Sequence, residues 1–206
     1  HMEFKIIYED EDILVIDKPA GVNADDIPRR VHRLDKDTSG VLLIAKNDKA
    51  LEFLQKQFQE RKVEKKYTAL IAGHLKNPEG IIKTLLGRSP NDRRKQKVYS
   101  AHDPDALGKR EAETKYKVLQ EFQDYTMITA VPKTGRKHQI RAHMAYLGHP
   151  IAGDKLYGFK NQPSPAGLTR QFLHASYLKI QLLDGVIKEF EADLSDDLKQ
   201  ILSKIQ

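Results

Sequence analysis

The sequence predicts a mixed α+β domain built around a largely antiparallel β-sheet, with helices and loops on its flanks. Two observations carry this. Short runs rich in β-branched and aromatic residues recur along the chain, separated by brief acidic or Gly/Pro-containing turns, which is the pattern of strands joined to their neighbours. Helical spacing appears only after Asn47, over 137–147 and after Ser195, too irregularly placed for the strand–helix alternation of a parallel sheet.

Residues 4–8 and 13–17 are the first strands, joined by the acidic turn Glu9-Asp10-Glu11-Asp12, and Lys18-Pro19-Ala20-Gly21 stops the second. Residues 23–30 are polar and aperiodic, hence a loop. Val41-Leu42-Leu43-Ile44-Ala45 is a continuous apolar run, the mark of a buried strand. Asn47 or Asp48 caps a helix with Leu51, Phe53, Leu54 and Phe58 at roughly helical spacing. The basic segment 61–66 leads into a buried strand, 67–72, which Gly73 ends. A hairpin is expected around Asn77-Pro78-Glu79-Gly80, and 88–97 reads as a basic loop turning at Pro90-Asn91-Asp92. Strands at 116–119 and 125–131 pair through 120–124, and 132–135 is a turn. The helix over 137–147 turns Ile140, Met144 and Leu147 inward. Residues 157–169 form a surface loop, strands return at 172–183 and 189–192, and Ser195 caps a last helix to Ile205.

A chain of 206 residues can bury one good core, so 3–206 is read as a single domain and His1-Met2 as a cloning remnant. The lack of cysteine excludes disulfides, thiolate metal sites and a thiol nucleophile. With no bilayer-length apolar run and no signal-peptide pattern, a soluble, cytoplasmic monomer is expected. The formal net charge of +6 favours an anionic partner where the charge clusters. It clusters at Arg88, Arg93, Arg94, Lys95 and Lys97, which suit phosphate contacts, and at Arg136, Lys137 and Arg141 beside a helix start, where backbone N–H groups favour anions. Either cluster also reads as a solvated basic face.

The densest chemistry lies in Val31-His32-Arg33-Leu34-Asp35-Lys36-Asp37-Thr38-Ser39-Gly40, which runs directly into the buried strand and so has a rigid support. From pattern alone the simpler reading is a polar turn closing on Gly40, with Asp35 or Asp37 bonding nearby backbone N–H groups. Tyr67, taken as a bare tyrosine in a strand, reads as core.

These residues resemble a known family. His32-Arg33-Leu34-Asp35 with Thr38-Ser39-Gly40 is similar to the signature of the RluA-like pseudouridine synthases. Ile13–Gly21, Lys65-Lys66-Tyr67, Thr134–His143, Gly148-His149-Pro150-Ile151 and Gly153-Asp154 match in order as well, so the resemblance covers nearly the whole chain. It implies the pseudouridine synthase fold and a cofactor- and metal-free isomerisation of uridine in structured ribosomal or transfer RNA. A loop or bulge uridine, flipped into the pocket, costs least to reach. It implies Asp35 as nucleophile toward sugar or base, with Arg141 as the guanidinium that keeps it ionised and oriented. Tyr67 would stack on the base and share in proton handling. Arg33 and His32 would touch the RNA near the flipped nucleotide, Arg136 and Lys137 its backbone, and Leu42, Ile44 and Ile140 would close the pocket. The segment between Gly21 and Val31 is shorter than in the family, and recognition is expected to rest on the catalytic domain.

Two other classes are weighed. A non-catalytic RNA-binding module explains the basic loop but leaves Asp35 and Arg141 without a task. A metal-assisted hydrolase would draw on His32, His138, His143, His149 and His174, yet His138 and His143 lie five apart, off a common helix face. Ser39 lies outside any Gly-x-Ser-x-Gly elbow, and no Gly-rich phosphate loop is present.

Overall fold

The computed structural model describes residues 3–206, so His1-Met2, read above as a cloning remnant, lies outside the described residues. In chain order the elements are β1 (Lys5–Glu9), β2 (Ile13–Lys18), a single 3-10 turn (Ala24–Asp26), β3 (Ser39–Ala45), α1 (Asp48–Gln59), β4 (Glu64–Ala72), β5 (Glu79–Arg88), β6 (Gln96–Tyr99), β7 (Arg110–Glu121), β8 (Tyr125–Pro132), α2 (Gln139–Tyr146), β9 (Leu173–Gln181), β10 (Ile187–Glu191) and α3 (Asp196–Ile205). They form two compact units: the chain up to Tyr67 with Leu173–Lys199, and Thr68–Phe172 with Gln200–Gln206.

In the first unit β1, β2 and β3 pair antiparallel in sequence order, β9 runs parallel to β3, and β10 is antiparallel to β9. Every residue of β3 is buried, which is why its sequence is an unbroken apolar run. One face of this sheet packs Val41 and Leu43 with Leu54 of α1 and Phe190 of β10, while the other packs Leu42 and Ile44 with Leu34, Ile27 and Tyr67. The polar stretch 23–30 is therefore not wholly irregular: Asn23 caps the 3-10 turn, Ile27 is buried, and Arg30 bridges to Ile44. Asn47 caps α1 by accepting the Ala50 N–H at 2.9 Å. Leu54 is fully buried in α1, but Phe53, one residue and about 100° round the helix, is exposed.

The approach of β3 to β9 fixes Gly40, whose φ is +122°. A Cβ there would stand 2.2 Å from the Ala175 carbonyl oxygen, so only glycine lets the parallel pair begin beside the polar segment.

In the second unit the strands follow the order β4, β8, β7, β5, β6. The sequence reading missed β5, β6 and the first half of β7. No hairpin forms at Asn77–Gly80, because β4 lies beside β8 while β5 pairs with β7 and β6. Gly80, read as a turn signal, lies inside a strand opposite Tyr116, and a Cβ at Gly80 would meet the Tyr116 hydroxyl oxygen at 2.6 Å. The glycine makes room for a cross-strand ring. Within the basic segment 88–97, residues 89–95 form the expected turn, and that turn closes the β5–β6 hairpin, with Arg88 opposite Gln96 and Lys97 opposite Gly87. Helix α2 starts at Gln139, two residues later than the spacing suggests, since His138 holds a left-handed φ of 57°.

Candidate active site

Asp35 is half-buried, just after the buried Leu34 and four residues before β3. Its turn is held largely by main-chain groups. The Thr38 N–H donates to the Asp35 carbonyl at 3.0 Å, and the Gly21 N–H donates to the Lys36 carbonyl at 2.8 Å. Beneath them Lys18 is fully buried, its ammonium donating to the carbonyls of Pro19, Val22 and Lys36 at 2.9, 2.8 and 2.9 Å. Three oxygens in fixed directions match the three protons of an ammonium. The Lys-Pro-Ala-Gly stretch and the Asp35 turn are thereby fastened to one cation, so the carboxylate stands on a braced loop.

The neighbouring polar residues face inward. His174 Nε2–H donates to the Ala192 carbonyl at 3.1 Å, which leaves Nδ1 to accept the Ser39 hydroxyl at 2.7 Å. Ser39 and His174 are both buried, so this pair ties β3 to β9 and gives no exposed hydroxyl for nucleophilic work. His32, expected to touch substrate, also turns to the fold. Its Nε2 accepts the Leu43 N–H at 3.0 Å and its ring stacks on Phe58 with centroids 4.7 Å apart. Burial, with the charges of Lys65 and Arg30, pushes the imidazole down to about 3, so it stays neutral as that acceptor role requires. Arg33 is exposed, with its guanidinium 3.4 Å from Asp25.

Tyr67 packs half-buried against the cluster that includes Leu34, Leu42 and Ile44. Burial, and then the charge of Asp35, raises its hydroxyl well above the ordinary tyrosine value. It therefore remains a neutral phenol that can pass a proton by hydrogen bonding but is not a phenolate base. Two residues earlier, on the same face of β4, stands Lys65. Burial pulls its ammonium down to about 8, and it lies 6.0 Å from the Phe58 ring centroid. The sequence reading named Lys65 only as part of a basic segment and a matched motif.

In the second unit Arg141 is buried on α2 and forms a two-pronged ion pair with Asp154, Nε to Oδ2 at 2.7 Å and Nη2 to Oδ1 at 3.0 Å. Asp154 Oδ1 also accepts the N–H groups of Leu156 and Tyr157, each at 3.0 Å. Burial alone would raise this carboxyl, but Arg141 and the two N–H groups outweigh it and hold Asp154 below its usual value. Asp154 was matched in the resemblance without a role, and its task is visible only in three dimensions. Gln139 joins the Thr134 hydroxyl, the Glu113 carbonyl and Thr114, and His143 sits between Thr114 and Thr84 at 2.8 and 2.7 Å. Burial takes His143 down to about 4, so it too is neutral. Arg136 donates to the Glu111 carbonyl at 2.7 Å, while Lys137 is exposed. Ile140 is buried.

On the β5–β6 hairpin Arg88, Arg93, Arg94 and Lys97 are exposed. Arg94 grips Asp92 in the turn at 2.7 and 3.0 Å, whereas Lys95 lies over the Tyr157 ring at 5.6 Å and Lys97 over Tyr99 at 5.0 Å. Among the described residues no three His, Cys, Asp or Glu side chains converge as a metal site would. No helix of the described residues is long and apolar enough to cross a membrane.

Residues 22–146 match the family model described as RNA pseudouridylate synthase. The chain is 35% identical, over its full length, to an uncharacterized RNA pseudouridine synthase of Bacillus subtilis (strain 168), covering 74% of that protein. It is 36% identical to ribosomal large subunit pseudouridine synthase D of Nitrosomonas europaea, with 98% of the chain and 65% of the relative covered. With ribosomal large subunit pseudouridine synthase C of Vibrio parahaemolyticus it shares 39% identity over 87% of the chain and 62% of the relative. Thus it spans between about three-fifths and three-quarters of these relatives. Among solved structures, the human protein RNA Pseudouridylate Synthase Domain Containing 1 superposes with a TM-score of 0.78 at 27% identity, covering 98% of this chain and 94% of that one.

Proposed function

The chain belongs to the RNA pseudouridylate synthase family, and from that premise we propose that it isomerises uridine to pseudouridine within structured RNA. The bond between uracil N1 and the ribose breaks, the uracil turns, and its carbon 5 bonds to the same sugar carbon. The carbon 5 hydrogen leaves as a proton and N1 takes one up, so no atom is gained or lost. Asp35 is the nucleophile, Tyr67 the platform for the flipped base and a neutral proton donor, and Arg141 a catalytic arginine. The observation that carries this reading is the half-buried Asp35, on a turn braced by Lys18 and next to Leu34, against whose cluster Tyr67 packs. A base in a helix is out of reach, so a loop or bulge uridine is flipped into the site. The names of the relatives in Nitrosomonas and Vibrio make large-subunit ribosomal RNA the first substrate to try. We read residues 3–206 as one catalytic domain acting as a monomer.

The test is release of tritium from carbon 5 of uracil in a transcribed, unmodified large-subunit ribosomal RNA, then in transfer RNA. Binding without release from either would return the chain to the RNA-binding module. In the same assay Tyr67→Phe keeps the ring and removes the hydroxyl. RNA binding is expected within about twofold of the unaltered protein, with turnover at least about 10²-fold lower. Normal turnover would leave Tyr67 a stacking role alone.

The hairpin supplies the electrostatic hand. Arg93 and Lys97 are exposed, whereas Arg94 is already engaged with Asp92. Reversing Arg93 and Lys97 to Glu is expected to weaken binding to all RNAs and flatten the log–log salt dependence by about one unit per lost phosphate contact. Unchanged slope and affinity would make this surface a solvated face.

A further inference from the structure

We infer that Tyr157 is a positioning residue that ties the basic β5–β6 hairpin to the segment carrying Arg141, so that RNA held by the hairpin and the catalytic arginine share one mechanical reference. The inference rests on the function proposed above and adds a residue to it.

Tyr157 is buried, and its hydroxyl oxygen accepts the Gln96 N–H, where β6 leaves the basic turn, at 2.8 Å. The same hydroxyl lies 2.8 Å from His138 Nδ1. A hydroxyl can accept one hydrogen bond and take part in a second, so the two contacts are compatible. His138 is the residue whose left-handed backbone opens α2, three residues before Arg141, and its ring meets the Tyr157 ring edge-on at 5.5 Å. The Tyr157 ring lies 5.2 Å from the Arg141 guanidinium and 5.6 Å from the Lys95 ammonium. Its own N–H donates to Asp154, the partner of Arg141. One side chain thus touches the hairpin, the start of α2 and the guanidinium, while its main chain touches the carboxylate that holds it.

These contacts divide by chemistry. The hydroxyl makes the bonds to Gln96 and His138, and the ring makes the contacts to Arg141 and Lys95. Removing only the hydroxyl frees the hairpin while leaving the ring beneath the arginine. Removing the ring as well disturbs the arginine.

The experiment compares Tyr157→Phe and Tyr157→Leu on the unmodified large-subunit transcript, reading the RNA dissociation constant, its salt slope, KM and kcat, and hydrogen exchange at the Gln96 amide in free protein. Tyr157→Phe is expected to weaken RNA binding and raise KM about tenfold, the effect of losing about one net hydrogen bond. The salt slope should fall, the Gln96 amide should exchange faster, and kcat should stay within about twofold. Tyr157→Leu should show the same changes and lower kcat about tenfold or more. His138→Gly suits the left-handed backbone and removes only one partner of the hydroxyl, so it should reproduce part of the binding loss even if a Tyr157 variant folds poorly. Unchanged KM, slope and exchange in Tyr157→Phe would overturn the inference, and so would a uniform fall in kcat at normal KM, the mark of a merely structural residue. If the unaltered protein binds the transcript but releases no tritium, the activity reading fails, and slope and exchange still decide the role of Tyr157.

Discussion

Asp35→Asn is expected to leave a folded protein that binds RNA and forms no pseudouridine. The substitution is nearly isosteric, and the turn at this position is closed by the Asp35 carbonyl, the Gly21 N–H and the three carbonyls around Lys18, none of which it alters. An amide cannot attack the sugar or the base as a carboxylate does, so turnover should fall by about 10⁴-fold or more, as when other enzymes lose a nucleophile. Tyr67 gives a second readout in the absence of RNA. Part of the elevation of its hydroxyl comes from the Asp35 charge, so in Asp35→Asn that hydroxyl should titrate at lower pH. Tritium release checks the first effect and ultraviolet titration of tyrosine the second. Normal release from a folded, RNA-binding Asp35→Asn protein would overturn the mechanism.

The fold was legible where burial is two-sided or where a cap is local. Val41–Ala45 announced β3 because every residue of the strand is buried, and Asn47 announced α1 because a cap needs only its own side chain and the next turn. It was illegible where a residue answers to a distant partner. Gly80 reads as a turn until Tyr116 is seen beside it, and α2 starts late because His138 takes a left-handed backbone that no periodicity reveals. The site divides the same way. Asp35 and Tyr67 stand out through the resemblance, whereas Asp154 meets Arg141 from 13 residues away and the Tyr157 hydroxyl accepts from Gln96 of the hairpin, contacts that no local pattern announces. The resemblance places His32 near the RNA, and in the structure its Nε2 accepts the Leu43 N–H, a tie to β3 that the motif does not reveal.

Arg141→Met is expected to destabilise the protein by about 3–5 kcal/mol at neutral pH, since it leaves the Asp154 carboxylate buried without its guanidinium. Methionine fills much of the space of the arginine stem, so most of the loss should be electrostatic, and its pH dependence can show this. In the unaltered protein Asp154 has a folded pKa below its unfolded value. Its contribution is therefore present above the unfolded pKa of about 4 and is lost as pH falls through the folded one. In Arg141→Met both contributions of the guanidinium are gone while burial remains, so the folded pKa moves up from its value in the unaltered protein. The stability gap between the two proteins should thus be widest near pH 7 and shrink toward pH 3, as the variant's Asp154 takes up its proton. Urea unfolding at the two pH values measures it. A gap of constant size would mean that Arg141 contributes packing rather than charge, and the buried ion pair would no longer explain why this arginine is held where it is.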